Sequence, residues 1–138
     1  MSREVYREPL VSRYTSTAMQ ELFSERTKFA TWRRCWIALA EAQAELGLDN
    51  IVTDAAIREM RDHVDDINFD RAEALERELR HDVMAHVRAF GEQCEAAAGI
   101  IHLGATSQFV GCNTDLIVHR EALELVRRDL VRAIANLA

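Results

Sequence analysis

The sequence contains little proline and little glycine: among 138 residues there are one Pro, at position 9, and five Gly. Sandwiches and barrels of short β-strands need many turn residues, so this scarcity favours long helices. No apolar run approaches the roughly 18 residues of a membrane span, and the N-terminal segment lacks the apolar stretch typical of a signal peptide. We therefore expect a cytoplasmic protein with no membrane partner and with reduced thiols.

Lysine is also scarce, since Lys28 is the only lysine among 17 basic residues. Acidic residues number 23, the net charge is −6, and no basic block stands out, which argues against a nucleic-acid partner. The three cysteines, Cys35, Cys94 and Cys112, form no Cys-x-x-Cys motif, so neither a zinc knuckle nor a redox motif is indicated. We expect all three to be small buried apolar side chains.

The spacing of apolar residues predicts an all-α chain that begins, over residues 1–15, with an irregular extended segment around Pro9. Thr17 is expected to cap a short helix and Ser24 a longer one. The longer helix carries a stripe at spacings of three and four residues: Phe29, Trp32, Trp36, Leu39, Gln43 and Leu46. Gly47 is placed to end this helix, and the further caps are expected at Thr53, at Asn68 or Asp70, and at Asp82.

The final helix is expected to start at Asn113 or Thr114. Along it four leucines recur every seven residues, with Val126 and Ala133 between them: Leu116, Leu123, Leu130 and Leu137. This heptad stripe is typical of helical bundles, and it continues to Ala138 without Gly or Pro. The stripe needs helices that this sequence does not contain, so we expect a fragment of a longer protein or a subunit of an obligate oligomer.

One short segment concentrates ionisable side chains: Arg80, His81, Asp82 and His86. A histidine titrates near neutral pH, and a neighbouring arginine or carboxylate can hold it in one role. His81 and His86 are separated by about 140° around a helix, which argues against a shared metal ion. The residues alone leave two interpretations open, an active-site segment or a solvated helix end.

Two other segments are candidate ligand sites. Gly104 is followed by Thr106 and Ser107, and such a loop can offer backbone and hydroxyl donors to an anion. Arg13 and Tyr14 offer a guanidinium and a phenol in a segment predicted to be irregular. Each pattern is also common in ordinary turns, so neither alone decides the function.

Taken together, these motifs resemble those of the adenylosuccinate lyase family. Seven segments occur here in that family's order: Ser12-Arg13-Tyr14, Phe23-Ser24-Glu25-Arg26, Lys28-Phe29, Thr31-Trp32-Arg33, Leu39-Ala40-Glu41-Ala42, Arg80 through His86, and Gly99 through Ser107. The resemblance runs from about Tyr6 to the end and is closest to the branch that includes the animal enzymes. Argininosuccinate lyase and fumarase share the fold and the Thr-Ser loop but not the Arg-His-Asp-Val segment, so another lyase of this superfamily is disfavoured.

The resemblance implies the fumarase/aspartase-type lyase fold, with an N-terminal helical domain over residues 1–111 and the first helix of the central helical bundle over residues 112–138. The family releases fumarate by β-elimination from adenylosuccinate, which gives AMP, and from the succinyl-carboxamide ribotide of purine biosynthesis. It needs no metal or organic cofactor. Its members are homotetramers in which three subunits contribute to each active site, and the expected ligand is a purine nucleotide.

The resemblance also assigns roles to individual residues. The matched substrate-binding positions are Arg13 and Tyr14 on the phosphate side, Arg80, His81 and Asp82 in a binding segment, and Thr106 and Ser107 on the succinyl side. Among these, His81 matches a histidine that assists catalysis by orientation, a role suited to a neutral-pH donor beside an arginine and a carboxylate. His102 matches a histidine near the succinyl loop, and the resemblance gives His86 no role.

The family's general acid, a histidine, and its general base, a serine on a mobile glycine-containing loop, match no segment of these 138 residues. We therefore expect the isolated chain to be inactive. A rival hypothesis is a non-catalytic helical interaction module that keeps lyase-like motifs and binds a partner through the leucine stripe. A reading frame that continues past Ala138 into a serine-bearing loop favours the enzyme, and a stop there favours the module.

Overall fold

The computed structural model describes residues 8–138, and within them the chain forms six α-helices and no β-strand. The helices are α1 (Thr17–Leu22), α2 (Glu25–Gln43), α3 (Asp54–Asp62), α4 (Phe69–Leu79), α5 (Asp82–Gln93) and α6 (Ser107–Leu137). Shorter helical turns lie between them: π-helical turns at Leu10–Tyr14 and Ala44–Leu48, and a 3-10 turn at Glu95–Ala97. The prediction of an all-α chain is confirmed.

Three of the predicted helix caps are confirmed. Ser24, Thr53 and Asn68 each precede a helix, and the side-chain oxygen of each accepts a hydrogen bond from a backbone N–H of the first turn. These caps satisfy N–H groups that the helix itself leaves without a partner, typically worth about 1 kcal/mol each. Gly47 has a φ of 96°, which glycine adopts without strain, and it marks the end of the long helical segment as predicted.

Two predictions near the beginning of the chain are wrong. Leu10–Tyr14 forms a helical turn rather than an extended segment, because Pro9 stands at its N-cap, where the missing N–H is tolerated. Residues 1–7, for which the same extended path is predicted, lie outside the described part. The cap of α1 is Ser16 rather than Thr17, since Ser16 Oγ accepts a bond of 3.3 Å from a backbone N–H of the first turn.

The last two helices also start elsewhere than predicted. The cap of α5 is His81 rather than Asp82, because the imidazole Nδ1 takes the acceptor role that a carboxylate or hydroxyl usually fills. The start of α6 is Ser107 rather than residues 113–114. Its first turn is helical because Val110 is fully buried in the core, so tertiary packing decides where this helix begins.

The centre of the core is α2, whose two tryptophans are almost completely buried, Trp32 at 2% and Trp36 at 1% exposure. The Trp36 ring stacks on Phe90 of α5 with centroids 6.2 Å apart. Truncating a buried side chain of this size to alanine typically costs about 3–5 kcal/mol. The predicted apolar stripe fails at its end, where Leu46 is 85% exposed because the chain leaves the α-helical path before Gly47.

A buried arginine ties α2 to the helices that follow. The Nη1 of Arg33 donates to the backbone carbonyls of His63 and Asp66, in the connection from α3 to α4, and its Nη2 donates to Gln93 Oε1 at 2.6 Å. The guanidinium also lies 4.2 Å from the centroid of the Phe90 ring. Burial lowers the pKa of Arg33 to about 10, so the group stays charged at neutral pH and needs these partners.

The cysteines follow the prediction with one exception. Cys35 and Cys94 are buried, and burial raises the pKa of both thiols, that of Cys94 to about 11. Cys112 is exposed, contrary to the prediction. Cys112 lies on the solvent-facing side of α6. Val110 and Thr114, two residues before and two residues after it, are buried on the opposite side of the helix.

The last helix, α6, packs on α2 in its first part, where Val110, Thr114 and Val118 are buried. All four leucines of the predicted stripe are more than half exposed, which confirms that the stripe has no partner within residues 8–138: Leu116, Leu123, Leu130 and Leu137. The predicted domain boundary between residues 111 and 112 falls inside this continuous helix and stays a prediction. In the part of the chain that the structure describes, no helix combines the length and hydropathy needed to cross a bilayer.

Candidate functional site

The turn between α4 and α5 positions the first candidate residues. Arg80 ends α4 in the left-handed conformation, with φ 51° and ψ 39°, and its N–H donates to the Glu76 carbonyl at 2.7 Å. This conformation costs a non-glycine residue roughly 1–2 kcal/mol, so the packing of α4 on α5 must hold it. That packing buries a small cluster of side chains: Ala72, Leu75, Ala85 and Ala89. The turn brings His81 directly to the N-terminus of α5.

His81 caps α5 and reaches the start of α6. Its Nδ1 accepts a hydrogen bond from the Met84 N–H at 3.4 Å, and its Nε2 lies 3.2 Å from Ser107 Oγ. A ring nitrogen that accepts carries no proton, so the cap places the proton of the neutral ring on Nε2, which donates to the serine hydroxyl. The Asp82 carboxylate lies 3.7 Å from the same Nδ1.

The remaining polar groups of this turn are exposed. Asp82 Oδ1 accepts from the Val83 N–H at 2.7 Å, in the first turn of α5, where the helix dipole favours a carboxylate. The Arg80 guanidinium makes no hydrogen bond or ion pair with any other residue between 8 and 138, and it is exposed to solvent. It is therefore available to a ligand that carries a carboxylate or a phosphate.

The segment that leads into α6 is held by two side chains of α2. Trp36 Nε1 donates to His102 Nδ1 at 3.0 Å, and Gln43 Nε2 donates to the Leu103 carbonyl at 2.8 Å. His102 and Gly104 both have positive φ, 68° and 71°, which gives the segment a tight path. Glycine adopts this conformation freely, whereas His102 is strained in it and depends on its contacts.

The tight segment ends at the N-terminus of α6, where Thr106 is the N-cap and Ser107 the first helical residue. No side-chain oxygen caps α6, and the Phe109 N–H donates to the Thr106 carbonyl at 2.9 Å, which leaves the N–H groups of Ser107 and Gln108 open to an anion. Since His81 is the N-cap of α5, the contact between His81 and Ser107 joins two helix N-termini. The first N–H groups of α5 are taken by His81 and Asp82, so the groups that suit a carboxylate or phosphate ligand are the N-terminus of α6, the Arg80 guanidinium and two hydroxyls.

The structure thus brings together the predicted residues of two motifs: Arg80, His81, Asp82, Thr106 and Ser107. It does not join Arg13 and Tyr14 to them. Both side chains are exposed, Tyr14 by 76%, and neither makes a hydrogen bond, an ion pair or a ring contact with another residue of the range 8–138. A role for this pair in substrate binding stays a prediction.

His86, for which the resemblance implies no role, is a core residue of α5. Its ring stacks on Phe29 with centroids 3.7 Å apart and meets Trp32 edge-on at 5.5 Å. Burial, followed by the charges of Arg33 and Lys28, lowers the pKa of His86 to about 4. The ring is therefore neutral near pH 7 and packs α5 against α2, behind the helix end that carries the candidate site.

Sequence reasoning missed Trp36 and Gln43 as supports of the site. Both stood on the predicted stripe of α2, and Gln43 was a polar residue on an apolar face. A buried amide needs hydrogen-bond partners, so a glutamine on such a face indicates a contact with another segment. The pattern does not identify the segment, and the contact with the Leu103 carbonyl emerges only in three dimensions.

Neither a metal cluster nor the largest cavity described coincides with this site. Among residues 8–138, no group of three or more His, Cys, Asp or Glu side chains is arranged to hold a metal ion. A cavity of about 670 Å³ lies between α1 and α6, bordered by charged side chains such as Glu21, Glu124 and Arg128, and no predicted site residue lines it. The candidate site is separate from this cavity.

Comparison with known proteins adds independent information. No protein-family model matches the chain. Curated proteins named adenylosuccinate lyase match it with 54% identity over 135 residues in Saccharomyces cerevisiae, 49% over 135 residues in Schistosoma mansoni, and 33% over 123 residues in Pyrococcus horikoshii. These matches cover 96%, 98% and 88% of this chain, but only 28%, 28% and 27% of the relatives.

These relatives are all named for one class of enzyme, the lyases. More specifically, the chain is homologous to adenylosuccinate lyases, which confirms the resemblance found in the motifs. It spans about 28% of the length of the curated relatives it matches. The comparisons favour the lyase over the rival hypothesis of a non-catalytic interaction module.

Proposed function

We propose that this chain forms part of an adenylosuccinate lyase and contributes binding and orienting groups to its active site. The observation that carries the proposal is the contact of 3.2 Å between His81 Nε2 and Ser107 Oγ, which joins two motifs 26 positions apart in the chain. The curated relatives that the chain matches are named for the same activity.

The proposed reaction is the β-elimination of fumarate from adenylosuccinate, which leaves AMP, and from the succinyl-carboxamide ribotide of purine biosynthesis. Both substrates carry a succinyl group with two carboxylates. The N-terminus of α6, together with the hydroxyls of Thr106 and Ser107, suits one of these carboxylates. The exposed guanidinium of Arg80 can add a contact of two parallel hydrogen bonds to a carboxylate or phosphate.

In this proposal His81 orients the substrate and does not transfer the decisive protons. Its neutral ring carries the proton on Nε2, on the side that faces Ser107, and the Asp82 carboxylate lies 3.7 Å from Nδ1. The elimination also needs a base that removes a proton beside a carboxylate and an acid that protonates the leaving nitrogen. The resemblance assigns these roles to a serine and a histidine that match no segment of this chain, and it implies no metal or organic cofactor.

We extend the proposal to a cytoplasmic homotetramer with shared active sites. The exposed leucine stripe of α6 supports an assembly, because an apolar face of this length is unfavourable in water. The resemblance assigns Arg13 and Tyr14 to the phosphate side, and we keep that assignment: both are exposed and have no contact with the residues around His81, as a site built by more than one subunit allows.

The test uses the intact protein in which this chain occurs, with adenylosuccinate as the substrate and fumarate release as the readout. His81→Ala is expected to lower kcat by about 100-fold or more, as the loss of an orienting donor typically does, without changing the circular dichroism spectrum. His63→Ala is the matched control, because the His63 side chain lies at the surface beside Asp66. It should retain the unsubstituted rate.

Two outcomes contradict the proposal, and they are distinct. If His81→Ala releases fumarate with unchanged kinetics, His81 does not belong to the active site, even though the protein has the proposed activity. No fumarate release from the unsubstituted intact protein refutes the activity itself.

A further inference from the structure

A buried indole holds the ring of His102. Trp36 is 1% exposed, and its Nε1 lies 3.0 Å from His102 Nδ1. The two residues are 66 positions apart, and this hydrogen bond connects the middle of α2 to the segment that leads into α6. The two rings meet edge to face, with an interplanar angle of 83° and a centroid separation of 6.0 Å.

The chemistry of the indole fixes the tautomer of the imidazole. Indole N–H can only donate, so His102 Nδ1 must accept and cannot carry a proton. The proton of the neutral ring is therefore on Nε2. A charged ring has N–H groups at both nitrogens and cannot keep this bond, so the contact also favours the neutral state, in which Nε2–H is a donor.

The position of His102 makes this donor relevant to the candidate site. His102 lies four residues before Thr106 and five before Ser107, on the segment whose path is set by two residues with positive φ. Burial lowers the pKa of His102, and the charge of His81 lowers it further. Gln43 holds the next residue, Leu103, through its backbone carbonyl.

We propose that Trp36 is a positioning residue of this site: its indole N–H holds His102 in the tautomer with the proton on Nε2, so that the segment before α6 presents a fixed N–H donor to the substrate near His81 and Ser107. The inference deepens the proposed function and rests on it. Trp36 acts through His102 and does not contact the substrate.

The chain offers a matched control one helical turn away. Trp32 is buried to the same degree on the same helix, and its Nε1 has no hydrogen-bond partner within residues 8–138. Trp32→Phe and Trp36→Phe therefore remove the same volume and the same N–H group. Only Trp36→Phe removes a hydrogen bond to the site.

The kinetic experiment measures fumarate release by the intact protein and its variants. A hydrogen bond of this kind is typically worth threefold to tenfold in an equilibrium constant, so kcat/KM of Trp36→Phe is expected to fall by about that factor relative to Trp32→Phe. In a His102→Gln background, Trp36→Phe should cause no further loss, because glutamine supplies an N–H donor that needs no tautomer selection. Equal kinetics of the two phenylalanine variants, or a further loss in the His102→Gln background, overturn the proposal.

A spectroscopic experiment reads the tautomer without substrate. Solid-state NMR of the intact protein labelled with 15N-histidine, with His102 assigned by difference from His102→Gln, should show an unprotonated Nδ1 and a protonated Nε2. Trp32→Phe should keep this pattern, and Trp36→Phe should shift it toward a mixture of tautomers. A protonated Nδ1 in the unsubstituted protein overturns the proposal even where Trp36→Phe does not fold. Because this result does not depend on turnover, it separates a failure of the inference from a failure of the proposed activity.

Discussion

The buried histidine of α5 predicts a specific loss of stability in mild acid. His86 is 5% exposed, and its ring lies between Phe29 and Trp32 in the core. Folding lowers its pKa from the ordinary 6.5 to about 4, because burial and the charges of Arg33 and Lys28 disfavour the protonated ring. Between these two pH values the unfolded chain binds a proton that the folded chain does not.

The direction and size of the effect follow from that difference. Stability rises with pH wherever the unfolded state binds more protons, so the contribution of His86 is complete above about pH 6.5 and is lost as the pH falls toward 4. At about 1.4 kcal/mol per pH unit, the interval between 6.5 and 4 corresponds to about 3 kcal/mol. This is a large share of the 5–15 kcal/mol that stabilises a typical domain.

The assay is urea unfolding at a series of pH values between 4 and 7, followed by tryptophan fluorescence. The chain has only two tryptophans, and Trp32 contacts the His86 ring, so the signal reports on this part of the core. In His86→Phe the aromatic stack on Phe29 is retained and the titration is removed. The unsubstituted chain should lose about 3 kcal/mol more than His86→Phe over this range, and equal losses refute the reasoning.

Two further predictions concern local features. Ser16→Ala should lower stability by about 1 kcal/mol in thermal unfolding, while Thr17→Ala should change it little, because Ser16 is the cap of α1; the reverse order would contradict the observed cap. A thiol reagent should modify Cys112 in the native protein and Cys35 and Cys94 only after denaturation, as mass spectrometry of the labelled peptides can establish; equal labelling of all three under native conditions would show that the core is open.

The parts of the fold that depend on local chemistry could be predicted from the sequence. Ser24, Thr53 and Asn68 are caps because their side-chain oxygens reach N–H groups only three residues away. The start of α6 could not be predicted in this way. It depends on the burial of Val110 in a core built by other helices, whereas the sequence pattern recognised only the more distant leucine stripe.

The same division holds for the candidate site. Its two motifs could be recognised, because each is continuous in the chain and resembles a known family. Their meeting through His81 and Ser107 is a long-range contact that no periodicity predicts. The hydrogen bonds from Trp36 and Gln43 to the segment before α6 could not be predicted for a similar reason. The sequence shows that both residues lie on the face of a core helix, but not which loop they contact.

The packing of α6 is uneven. Its buried residues all lie in its first part, next to the candidate site, so the helix can pivot there. The helix is held where Val110 and Val118 are buried, and at about 1.5 Å per residue its exposed end at Leu137 extends about 28 Å beyond Val118. A tilt of about 5° about Val110 moves Leu137, about 40 Å away, by roughly 3.5 Å but moves Ser107, about 4.5 Å away, by only about 0.4 Å. A contact made at the exposed end of α6 can therefore shift that end while the Ser107 hydroxyl keeps its place beside His81.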